Sequence, residues 1–212
     1  TPFLDEMCRP PGRLRIAYCW EPWSDRAAID EMRLACEATA HLLEELGHEI
    51  CEARPVFSWE AFRDAMTVVW STTIAHDIDG FAHAVGRTPG PDTLELPTLR
   101  MVELGRSTSA EQLLGAPDAA GHVARQVGSF FEEYAVLLTP TLGAPPARLG
   151  TYEPEAELEP RELFDSWSQL ESFLPVFNAT GQPAVSLPLH QGGTGLPIGM
   201  QLVGRFGEEA ML

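Results

Sequence analysis

Between Leu14 and Arg54 the chain carries a strand–helix–strand pattern, and no other stretch constrains the fold as strongly. Leu14 to Tyr18 (LRIAY) is a short apolar run after Pro10, Pro11 and Gly12, which predicts a strand. From about Ala27 to Leu46, Ile29, Met32, Leu34, Cys36, Leu42, Leu43 and Leu46 supply the apolar side of a helix, and Gly47 supplies its stop. His48 to Arg54 reads as a second strand, closed by Pro55. A helix between two neighbouring strands makes them parallel, with a right-handed crossover.

The middle of the chain reads as helical. Ser58 is an N-cap for a helix carrying Phe62, Met66, Val69, Trp70 and Ile74, expected to persist to about Gly80. Gly86 to Pro91 is a loop, Pro97 to Gly105 a short helix, and Ser109 to Tyr134 a longer one with Gly115 and Pro117 as points of interruption. Half of the eighteen prolines lie at or beyond Pro140, so the character changes there. Val136 to Thr139 reads as a buried strand, and Gly150 to Pro160, with Glu153, Glu155, Glu157 and Glu159, as a solvated loop. Arg161 to Phe177 has Leu163, Phe164, Trp167, Leu170, Phe173 and Leu174 at the spacing of one amphipathic helix. Ala184 to Leu189 and Ile198 to Val203 read as strands joined by a hairpin through Gly192 to Gly195. The pattern implies an α/β architecture with a mixed sheet.

Composition removes several kinds of chemistry. With 212 residues, 44% hydrophobic and 21% charged, the chain is ordinary globular material. No apolar run approaches the ~20 residues that span a bilayer. A formal charge of −17 leaves no basic face for nucleic acid, so neither nucleic acid nor membrane is an expected partner. All fourteen basic residues are arginine. Without lysine the chain has no Schiff base, no P-loop lysine and no lysine general base.

Cys8, Cys19, Cys36 and Cys51 have no zinc spacing and read as free thiols of a cytoplasmic protein. His41 and His48 stand two helical turns apart, and His76, Asp77, Asp79 and His83 lack the rest of a calcium loop, so no metal or cofactor is expected. GxSxG is absent, Ser186 fits strand alternation, and Gly192-Gly193-Thr194-Gly195 fits a turn better than a phosphate loop. No basic-then-apolar leader is visible, and both ends read as cut.

Two stretches near the C-terminus carry a resemblance. Phe177-Asn178-Ala179-Thr180-Gly181-Gln182-Pro183-Ala184-Val185-Ser186-Leu187-Pro188 resembles the amidase signature family, and so does Gly195-Leu196-Pro197-Ile198-Gly199-Met200-Gln201-Leu202-Val203-Gly204-Arg205 with Glu208. Val136-Leu137-Leu138-Thr139-Pro140-Thr141 is similar to that family's strand after a long helix, although Ala135 stands where an Asp commonly does. Pro2-Phe3 and Gly12 to Ala17 resemble the start of the half that follows the signature itself. The motifs together are specific, and within the family the chain is most similar to bacterial amidases of the cyclic-dimer hydrolase type.

The resemblance implies a mixed sheet flanked by helices on both faces. It also implies hydrolysis of amides by a serine nucleophile, a second serine with a cis peptide and a lysine base. In the family those groups lie in the N-terminal half, so residues 1–212 are expected to be the C-terminal portion of one amidase domain, truncated at both ends and without an internal boundary. No catalytic residue carries over. The expected partners are a small amide substrate and the missing N-terminal half, with a homodimer as a further arrangement. In the family, one side of the helix before the motif's Asn faces substrate. Counting back from Asn178 places Pro175, Glu171 and Ser168 on that side. Glu171 reads either as a carboxylate meeting an amino or cationic substrate group or as a solvated charge. Asn178, Gly181, Gln182 and Pro183 read as a fold-stabilising turn, with direct substrate contact as the other reading. A non-catalytic scaffold and an ammonia-using amidotransferase subunit are the competing roles.

Overall fold

The computed structural model describes residues 3–6, 8–24, 26, 29–168 and 170–212. The expected helix start at Ala27 lies outside them, as does Pro2, where the resemblance opens. Two compact units emerge, one of residues 1–57, 123–146 and 169–212, the other of residues 58–122 and 147–168.

The first unit holds the sheet. Its strands are β1 (Arg15–Tyr18), β2 (Glu49–Glu52), β3 (Val136–Pro140), β4 (Ala184–Gln191) and β5 (Pro197–Gly204). Their spatial order is β2-β1-β3-β5-β4. β1 pairs in parallel with β2 and β3, while β5 runs antiparallel to both β3 and β4, so the sheet is mixed as expected. Between β1 and β2 lies α2 (Asp30–Glu45), preceded in sequence by the one-turn α1 (Phe3–Glu6). Met32, Ala35, Cys36 and Ala40 of α2 form a core with Ile16, Val136, Leu138, Ile198 and Met200 of the sheet. Strand alternation turns Ala17, Leu137 and Val203 to the other face, where all three are fully buried.

The second unit is helical. Its elements are α3 (Trp59–Val85), α4 (Leu96–Ser107), the first half of α5 (Ala110–Glu133), and α6 (Pro160–Trp167). Ser58 caps α3 as expected, accepting the Ala61 N–H at 3.1 Å. The helix passes through Gly80 and stops at Gly86, whose left-handed φ of 65° a glycine adopts without strain. α5 also runs on through Gly115 and Pro117. The acidic stretch before α6 is more than solvated loop. Glu159 and Glu162 form a reciprocal capping box at the start of that helix.

One expected element is corrected. Residues 161–177 are not a single helix: α6 ends at Trp167, and α7 (Leu174–Thr180) starts afresh with Pro175 in its first turn. A proline at 175 inside one long helix would clash with the carbonyl of Glu171 and leave it without a donor. Phe173 and Phe177 are buried as their spacing demands, but edge-on to Trp23 at 5.8 and 6.2 Å between ring centres.

Candidate functional site

In an open α/β sheet, ligands gather beyond the carboxyl ends of the parallel strands. β3 ends at Pro140, and the chain leaves it through residues 141–146, where Pro145 and Pro146 cannot extend a ladder. A cavity of about 280 Å³ opens there, walled by this loop, the β4–β5 hairpin and the start of α2. Its walls are largely apolar, with Met32, Leu142, Pro145, Pro188 and Ile198 among them.

Polar groups enter this cavity at two places. Thr141 Oγ1 and Ser186 Oγ lie 2.6 Å apart, one donating to the other. The pair therefore keeps one hydroxyl proton and several lone pairs free for a ligand amide. Gly199 makes the pair possible: a Cβ there would stand 2.8 Å from the Thr141 hydroxyl and 2.9 Å from that of Ser186. The second group is Glu31, in the first turn of α2. It accepts the Gly193 N–H at 2.5 Å and so holds the hairpin loop, which is a turn, as its sequence indicates.

The residues expected to share one helical side do not share a helix. Ser168 closes α6 in the second unit, buried, its hydroxyl donating to the Asp165 carbonyl at 2.7 Å. Glu171 lies between the helices and Pro175 lies buried in the first turn of α7. The Glu171 segment nevertheless adjoins the cavity loop, because Gly143 N–H donates to the Leu170 carbonyl at 2.9 Å. Burial pushes the Glu171 carboxyl above its ordinary range, and no cation among the described residues pairs with it.

The Asn178–Pro183 turn is built by other groups than its Asn. Asn178 is exposed and makes no side-chain hydrogen bond among the described residues. Thr180 Oγ1 takes that role, its single proton shared between the Val176 carbonyl at 2.8 Å and Oε1 of the buried Gln182. Gly181 takes a left-handed φ of 80°, and the Pro183 carbonyl accepts from Gly204 at 2.9 Å, which starts β4 in register.

Two of the six histidines serve the fold: His48 Nδ1 accepts the Leu14 N–H at 3.2 Å, and His190 Nε2 meets the Thr39 hydroxyl at 2.8 Å. No group of three potential metal ligands occurs among the described residues. Cys19 and Cys36 are free and buried. Burial pushes the Cys19 thiol up to about 11 and that of Cys36 higher still, so neither supplies a thiolate nucleophile. Thr141, Ser186 and Gly199 are the residues that sequence reasoning missed, since they meet only through strand register.

Comparison with known proteins places these features. The Amidase family model matches residues 2–212. AmiC of Mycobacterium leprae (strain TN), a proposed amidase, is 32% identical over 95% of this chain and 42% of its own length. The 6-aminohexanoate-cyclic-dimer hydrolase of Paenarthrobacter ureafaciens is 28% identical over the whole chain and 44% of its own length. A solved structure of 6-aminohexanoate cyclic dimer hydrolase with substrate superimposes with a TM-score of 0.91 at 26% identity, covering all of this chain and 45% of that one. The chain thus spans less than half the length of the curated relatives it matches.

Proposed function

The chain belongs to the amidase family, and on that premise we propose that it is the C-terminal half of an amidase that hydrolyses carbon–nitrogen bonds of small amides. The observation that carries this reading is one of extent. The family model runs from residue 2 to residue 212, yet the chain covers only 44% of a hydrolase relative, and it contains no lysine. In the mechanism that the resemblance implies, one serine attacks the amide carbon and passes its proton through a second serine to a lysine. The leaving amine takes a proton, and water then releases the acyl group. Those groups, and the donors that stabilise the oxyanion, belong to the half that precedes this one.

The share of this chain is the wall of the pocket. Apolar residues around Thr141 and Ser186 suit an aliphatic substrate body, and the hydroxyl pair suits an amide or carboxylate end. The Glu171 carboxylate, with which no cation among the described residues pairs, suits an amino group on the substrate. Its partners on this reading are the N-terminal half and, as a further arrangement, a second copy of the protein. No described helix is long and apolar enough to cross a membrane, and we place the protein in the cytoplasm.

The test has two arms. Purified alone, the chain should turn over aryl amides and p-nitrophenyl esters no faster than a denatured control. In the whole enzyme, Thr141→Val combined with Ser186→Ala should lower kcat/KM about tenfold, the worth of one lost hydrogen bond of ~1.4 kcal/mol, with folding retained. Turnover by the chain alone would overturn the assignment to a half-enzyme. An unchanged kcat/KM in the double variant would remove the hydroxyl pair from the pocket.

A further inference from the structure

At the other end of β5, about 20 Å along the strand from Gly199, a second groove of about 380 Å³ lies between the last turns of α5 and the segment after β5. We propose that this groove is a binding site for a small monocarboxylate with an apolar body, separate from the substrate pocket. Its centre is Arg205. The guanidinium is anchored by Nε, which donates to the Phe131 carbonyl at 2.7 Å, and none of the described carboxylates pairs with it. The outer edge of a fixed guanidinium, with its parallel N–H groups, matches a carboxylate.

Gln182 supplies the second polar group. It lines the groove and is only 9% exposed, and its Oε1 is engaged by the Thr180 hydroxyl. Its amide nitrogen makes no hydrogen bond to a described residue and keeps some accessible surface, which leaves a donor open to a ligand oxygen. Phe206, 73% exposed, offers an uncovered ring for the apolar body. Glu132 also lines the groove, so a second negative charge on the ligand would be repelled. Gly128 completes the lining, and a Cβ there would meet no atom within 4 Å, so α5 itself does not require a glycine at this position.

Benzoate is the probe, titrated by calorimetry into the whole protein, with benzamide and sulfate as neutral and dianionic controls. Gly128→Leu puts an apolar side chain at the groove from a position where a Cβ meets no atom within 4 Å, and Arg205→Gln removes the charge. The expected result is one benzoate equivalent that is lost, or weakened at least tenfold, in both variants while amide turnover stays unchanged. Neither control should displace it. Equal benzoate binding in wild type and Gly128→Leu overturns the proposal, even should Arg205→Gln fail to fold. Absence of binding to the wild type overturns it, and displacement by sulfate overturns the monocarboxylate assignment.

Discussion

At Glu171 burial alone raises the carboxyl pKa, with no cation among the described residues to lower it. The folded state therefore holds that proton more firmly than the unfolded chain. The stability this group contributes is present below the unfolded pKa and lost as pH rises through the folded one. Glu171→Gln should accordingly melt ~1–2 °C higher than the parent near neutral pH and match it near pH 3.5. Thermal denaturation of the whole protein at both pH values checks this, and a Gln variant that melts lower at neutral pH would mean that a cation pairs with Glu171. Should the carboxylate face substrate, Glu171→Ala will shift preference away from amino-bearing amides more than it shifts Tm. At Gly105 two effects oppose each other. Helix propensity alone favours alanine by about 1 kcal/mol. An added Cβ, however, would lie 2.0 Å from the Ser71 carbonyl oxygen and 2.8 Å from the Ala75 Cβ, so α3 and α4 must separate. Overpacking of this kind costs up to ~3 kcal/mol, so Gly105→Ala should lose about 2 kcal/mol net in denaturant unfolding.

Prolines show at the scale of elements what sequence reading resolves and what it does not. Pro117 and Pro175 both fall within helical patterns, yet α5 passes through the first and the chain restarts a helix at the second. Pro117 and Leu113, the residue whose carbonyl it leaves without a donor, are both exposed, so water takes the lost hydrogen bond. The cost remains, and Pro117→Ala should stabilise the protein by about 2 kcal/mol once the freer unfolded chain is allowed for. An unchanged or lower midpoint in urea would mean that the kink is required. The strand–helix–strand unit and the β4–β5 hairpin were legible because local periodicity and turn residues encode them. The end of α3 was less so, since Gly80 and Gly86 both offer a stop and only Gly86 takes a positive φ. The cavity was not legible at all. Thr141 and Ser186 lie 45 residues apart and meet through register, for which no local pattern exists.

For the whole molecule, the two edges of the sheet are unlike. β2 is four residues long with Glu49 and Glu52 exposed, a short charged edge of the kind that resists pairing. β4 is eight residues long and mostly exposed, with Leu187 and Leu189 at 37% and 43%, and only Pro188 and a bulge interrupt it. On the half-enzyme reading, this is the edge at which the sheet grows. Expressed without that other half, the chain bares apolar surface at roughly 25 cal/mol per Å². Some 400 Å² then costs ~10 kcal/mol, against a domain's net stability of ~5–15 kcal/mol. The net charge of −17 slows association through repulsion but covers no surface. The isolated chain should therefore bind hydrophobic dyes and melt without a sharp transition, and both properties should vanish when the N-terminal half is co-expressed with it. A single cooperative calorimetric transition for a monomer of the chain alone would defeat this expectation. It would show that the β4 edge is self-sufficient, as a stand-alone scaffold requires.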